Sequence, residues 1–168
     1  MAISFTAILP SGRAVKYTKL KTSQFFDGVD AATVRAGKNA AEAKLTRQSA
    51  LETIAICLKA ISPAPVEWKF KLELADGKPV LDETGKLKMS DEVDVDAMLD
   101  SVDAVGGIGW TPLTYLDLVT KDGPKSVMAL FDDELEDFTQ LSMRIQEASF
   151  PQRARATSLA KVRATSGG

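Results

Sequence analysis

The chain has 168 residues, 45% of them apolar and 26% charged, with a formal net charge of −2. That is the balance of an ordinary globular protein with enough apolar material for a core. It contains no histidine and one cysteine, Cys57, which excludes Ser-His and Cys-His catalysis, His-containing zinc sites, a Cys₄ site and an internal disulfide.

No apolar run approaches the roughly 20 residues that span a bilayer. Met1–Phe5 has neither the basic n-region nor the long apolar stretch of a signal peptide. The lone thiol suits a reducing compartment. The composition therefore predicts a non-enzymatic protein that does not enter a membrane and carries no metal or cofactor. Charge is unevenly placed: residues 1–75 carry net +5, residues 76–150 net −11 and residues 151–168 net +4. Such asymmetry favours oriented contact between copies or with a charged partner.

In chain order, Ile3–Leu9 reads as a strand with Ile3, Phe5, Ala7 and Leu9 on one face. Leu9-Pro10-Ser11-Gly12 is a turn, and Arg13–Tyr17 returns as its partner, with Val15 and Tyr17 inward. Thr22 or Ser23 caps a first helix that places Phe25, Val29, Ala32 and Ala36 on one side and stops at Gly37. A second helix runs from about Ala40 to Ile61 on the stripe Leu51, Ile54, Ala55, Leu58 and Ile61, with Cys57 at its edge as a small buried residue.

Val66–Leu74 alternates Val66, Trp68, Phe70, Leu72 and Leu74 with Glu67, Lys69, Lys71 and Glu73, the pattern of a nine-residue amphipathic strand. Asp76-Gly77 signals a hairpin and Pro79–Met89 its return, so residues 66–89 are expected to project as a two-stranded β-ribbon. Asp91–Val105 reads as an acidic helix broken by Gly106-Gly107-Ile108-Gly109. Thr111-Pro112 is expected to open the next helix, which Asp122-Gly123-Pro124 stops. Ser126–Phe131 fits strand or helix. Asp133 with Glu136 resembles a capping box for a last helix on Leu135, Phe138, Leu141, Ile145 and Ala148.

Three segments carry possible chemistry. Glu92, Asp94 and Asp96 imitate the start of a calcium loop, but Ala97 and Asp103 replace its glycine and its last glutamate; acids that begin a helix explain them better. The glycine cluster at 106–109 lacks both the Walker lysine arrangement and the GxGxxG pattern, and is read as a loop. The run Asp132, Asp133, Glu134, Glu136 and Asp137 is read as a solvated helix start. The tail from Pro151 to Gly168 holds Arg153, Arg155, Lys161 and Arg163 and no acid, so an extended basic arm is expected.

Two segments resemble assembly proteins encoded in bacteriophage tail modules, of the tail-chaperone or baseplate-hub type. One is Ile8-Leu9-Pro10-Ser11-Gly12-Arg13-Ala14-Val15-Lys16-Tyr17 with the helix after it. The other is Leu130-Phe131-Asp132-Asp133-Glu134-Leu135-Glu136-Asp137-Phe138. Residues 62–90 and the basic tail depart from the short chaperone pattern and suit a minor structural component with arms that reach neighbours. The resemblance implies phage structural proteins, and copies of the chain itself, as partners, in a virion or the host cytoplasm.

The reading is thus an α+β fold. A single domain over 1–150 carries an N-terminal β-hairpin, a helical body of four or five helices and the ribbon at 66–89, and an arm follows at 151–168. Trp68 and Phe70 are the expected apolar anchors, with Arg153, Arg155, Lys161 and Arg163 as electrostatic contacts. Two alternatives belong to other classes. A nucleic-acid accessory protein would use the basic tail, which has no aromatic residue for base stacking. A histidine-free enzyme would use paired carboxylates.

Overall fold

The Leu9–Gly12 turn closes as its residues require. Gly12 takes φ 95°, and its N–H donates to the Leu9 carbonyl at 2.8 Å. In the computed structural model, which describes residues 3–151, this turn joins β1 (Ser4–Ile8) to β2 (Ala14–Thr18) in register, Phe5 opposite Tyr17 and Ala7 opposite Val15. The fold is α+β, and its centre is a four-stranded antiparallel sheet of order β1, β2, β3 (Leu58–Ile61) and β8 (Thr111–Pro112).

α1 (Thr22–Ala36) is capped at Lys21, not at Thr22 or Ser23; the Gln24 side chain accepts from the Lys21 N–H at 2.9 Å. Gly28 does not break this helix; it is where α1 packs on α2 (Glu42–Cys57), and a Cβ there would lie 3.3 Å from Ile56 Cδ1. α2 ends four residues earlier than its apolar stripe predicts. The chain turns extended at Leu58, with φ −75° and ψ 122°, and Leu58–Ile61 becomes β3. The stripe fits either conformation. β2 and β8 on either side supply ladder partners for a buried backbone, and this decides for the strand.

The nine-residue strand is likewise divided. Residues 66–69 are not strand: the Val66 N–H donates to the Gly12 carbonyl at 2.8 Å and fastens this stretch to the first hairpin. β4 is only Phe70–Leu72 and pairs with β7 (Met89–Val93), so the ribbon closes further along than residue 89. β5 (Leu74–Ala75) and β6 (Lys78–Pro79) form a small hairpin on Asp76 and Gly77, both at positive φ as a two-residue hairpin turn demands. A second tight loop closes at the Leu81–Leu87 bridge. The two loops and the ribbon meet at a three-way junction. Glu73 N–H donates to Lys88 O, Lys88 N–H to Val80 O, and Val80 N–H to Glu73 O, at 2.9, 2.8 and 3.1 Å.

The strand at Met89–Val93 takes residues expected in the acidic helix, so α3 covers only Val95–Asp103, with Asp94 as its cap accepting from the Ala97 N–H at 3.1 Å. Thr111-Pro112 does not start a helix. It is β8, an edge strand, where proline's missing N–H is tolerated. The helix α4 (Tyr115–Val119) starts just after it, in a capping box of Thr114 and Asp117. α5 (Val127–Leu130) settles the ambiguous stretch as helix on a Ser126 cap. α6 (Leu135–Ser149) begins at Glu134 with no side-chain cap, because the Asp133–Glu136 box does not form.

The sheet has helices on both faces. Val15, Tyr17, Leu58 and Ile61 bury against Ile54 of α2, Leu118 of α4, Val127 of α5, and Leu141 and Ile145 of α6. On the other face Ala14 meets Met98 and Val102 of α3, and Val66 joins them. Trp110 closes this second layer: its Nε1–H donates to Asp103 Oδ1 at 2.7 Å, and Lys16 Nζ lies 4.4 Å from its ring centroid.

Candidate interaction surfaces

The ribbon is the part of the chain that the core uses least. Across it apolar side chains meet apolar side chains: Phe70 opposite Val93, Leu72 opposite Met89, Leu74 opposite Pro79, and Leu81 opposite Leu87. Trp68, Phe70, Leu72, Leu74, Leu81, Leu87 and Met89 are all exposed, from 38% at Phe70 to 60% at Leu81. Phe70, Leu72 and Leu74 share one side of the alternating backbone. On the other side charges pair within the ribbon, Lys71 with Glu92 at 3.0 Å and Lys88 with Glu73 at 3.2 Å. The ribbon therefore pairs four of its charges internally and leaves its apolar side bare. A run of exposed large apolar side chains on one element is uncommon on a monomer's surface.

The two predicted anchors have different settings. Phe70 sits in β4 on the apolar face. Trp68 stands at the ribbon's base, 41% exposed, with its ring edge against Gly12 of the first hairpin. The predicted electrostatic contacts Arg153, Arg155, Lys161 and Arg163 lie outside the described residues.

Sequence reasoning missed a second feature, a clasp between the first hairpin and α6. Asp137 is 1% exposed and accepts from the Ser11 N–H at 2.9 Å and from the Ser11 hydroxyl. Next to it, Arg13 Nη1 donates to the Leu130 carbonyl at 2.8 Å and lies 3.6 Å from Glu134 Oε2. Burial pushes the Glu134 carboxyl above its usual range; the Asp137 carboxylate adds to this, and Arg13 opposes it. Of the five acids expected to form a solvated run, Asp137 is thus buried and Glu134 partly so. The periodicity of α6 does carry the signal, because Asp137 falls on the same helical face as Leu141 and Ile145.

A third feature is a buried carboxylate on α2. Glu52 is 2% exposed, paired with Arg35 Nε at 2.7 Å, and accepts from the Tyr115 hydroxyl at 2.8 Å. Arg35 also donates to the Val119 carbonyl at 3.3 Å, so α1, α2 and α4 are tied at one point. Glu52 lies at the back of a cleft of about 540 Å³ whose rim holds Lys44, Arg47 and Lys121. Cys57 is fully buried, and burial raises its thiol to about 11, a setting for packing and not for nucleophilic attack.

Asp94, with its calcium-like spacing, is engaged as a helix cap. Among the described residues no helix is long and apolar enough to cross a membrane. Compared with protein-family models, with curated proteins and with solved structures, the chain matches none of them.

Proposed function

We propose that this chain is a non-enzymatic assembly protein that binds another protein chain through the apolar face of the ribbon at residues 68–93. The observation that carries the reading is the pairing of exposed apolar residues across the ribbon, beside which Lys71–Glu92 and Glu73–Lys88 pair charges within it. A partner that covers this face gains burial of several large side chains, each contributing on the order of 1–2 kcal/mol. Charges already paired within the ribbon add little to that sum.

The particle we assign to it is a phage tail or baseplate, with the chain as a minor structural component or assembly chaperone. The two segments that resemble tail-module proteins support this in one further respect. They are the two sides of the clasp, Ser11 and Arg13 on one and Glu134 and Asp137 on the other. The resemblance therefore falls on one connected unit, to which the ribbon is attached at Gly12.

The test compares tagged wild-type chain with Leu72→Asp/Met89→Asp, each expressed where the chain is native. The reading expects particle proteins to co-purify with the wild type and to be lost from the double variant, with both chains equally folded. Equal recovery of the same partners by both would contradict it.

A further inference from the structure

The basic cleft plays no part in the ribbon reading. It lies between the end of α1, the first half of α2 and the α4–α5 segment, with Leu51, Leu118 and Met128 on its wall. Arg35 is committed to Glu52 and Val119. Among the described residues, no carboxylate pairs with the other three cations, Lys44, Arg47 and Lys121. The cleft thus carries three cations without a carboxylate partner beside an apolar wall. An acidic segment carrying one apolar side chain complements both.

The same molecule displays such a segment. At the turn into α6, Asp132, Asp133 and Glu136 are exposed around Leu135, itself 75% exposed. The inward acids of this turn, Glu134 and Asp137, are held by Arg13 and Ser11, so the turn is rigidly mounted while its outer acids pair with no described cation. It follows Met128 of the cleft wall after one short stretch of chain, yet contributes nothing to the lining of its own cleft.

We propose that the acidic turn of a second copy docks into this cleft, with Leu135 against Leu51, Leu118 and Met128, and with Asp132 and Asp133 facing Lys44, Arg47 and Lys121. The giving and receiving surfaces lie side by side, so two copies exchange turns in one self-complementary contact.

The test is solution mass by light scattering on the full chain, from low to moderate salt. A mass of about two chains at low salt is expected, falling to one as salt screens the contact. Lys44→Glu/Arg47→Glu and, separately, Asp132→Lys/Asp133→Lys each weaken self-association about tenfold or more. An equal mixture of the two variants restores it, because every swapped surface then meets its complement. Circular dichroism confirms that each variant is folded. Leu72→Asp leaves the dimer intact, which separates this contact from the ribbon.

A wild type that is monomeric at every salt overturns the proposal. So does a mixture that fails to restore association, or a dimer lost in Leu72→Asp. A monomer whose cleft nevertheless binds an added acidic peptide also overturns it, and assigns the cleft to a different chain.

Discussion

Asp137 and Ser11 join opposite ends of the chain: the carboxylate on α6 accepts both the backbone N–H and the hydroxyl of a residue in the first turn. Asp137→Ala leaves the Ser11 N–H without its acceptor in a nearly closed site, and is expected to cost about 2–3 kcal/mol in urea unfolding. Ser11→Ala keeps the backbone bond and is expected to cost about 1 kcal/mol. Losses below about 0.5 kcal/mol for both would mean that the clasp does not hold the hairpin to α6.

Glu134 gives the clasp a pH dependence. Its carboxyl is raised, so it binds its proton more tightly in the fold than in the open chain. Its contribution is therefore complete below the usual glutamate range and is lost as pH rises through the folded value. Measured against Glu134→Gln in parallel melts, the wild type should gain stability from pH 7 down to pH 4. A difference that is flat, or of opposite sign, would show that Arg13 outweighs burial at this site.

How much of this was legible in the sequence varies with what decides each element. The first hairpin and the break at 106–109 were legible because proline and glycine act locally. Leu58–Ile61 was not, since its apolar spacing continues the helical stripe and only the neighbouring strands make it β3. Thr111-Pro112 was misread because a Thr-Pro pair opens helices in general, whereas here it fills an edge position and Thr114 takes the capping role. The ribbon's existence was legible from alternation. Its three-way junction was not, because it depends on backbone bonds among Glu73, Val80 and Lys88 that leave no mark on composition.

The candidate sites divide in the same way. The alternating pattern marked Phe70 and Trp68, but their exposure was not readable from it, because an apolar strand face can equally pack on the core. Asp137 was readable only from its place on the buried face of α6, and Glu52 was not, because a carboxylate is expected outside until its partners, Arg35 and Tyr115, are brought beside it.

Cys57 should be silent to thiol reagents in the native protein at pH 8, since its thiol is buried and raised to about 11. Labelling should appear only with unfolding and follow the global transition in urea. Rapid labelling without denaturant would mean that the α2–β3 corner opens on its own.

Gly28 offers a test of the α1–α2 contact. Its added Cβ would meet only the end of the Ile56 side chain at 3.3 Å, which can shift, while alanine gains up to about 1 kcal/mol of helix propensity. Gly28→Ala is expected to be neutral or stabilising by about 0.5 kcal/mol in thermal melts. Gly28→Val, with a second branch at the same spot, is expected to destabilise by about 1–3 kcal/mol. Equal effects would show that the two helices are not in close contact there.

The central claim is that the ribbon's apolar face is a binding surface for assembly, and complementation tests it most directly. The gene is replaced in its native genome by Leu72→Asp/Met89→Asp, and complete particles are counted by electron microscopy. Both residues are half-exposed or nearly so and lie outside the core, so the variant should keep the wild-type core fold, with a small loss from two carboxylates facing each other in the ribbon. The account predicts that it supplies soluble protein yet fails to support particle formation. A variant that yields complete particles at the wild-type level would contradict it.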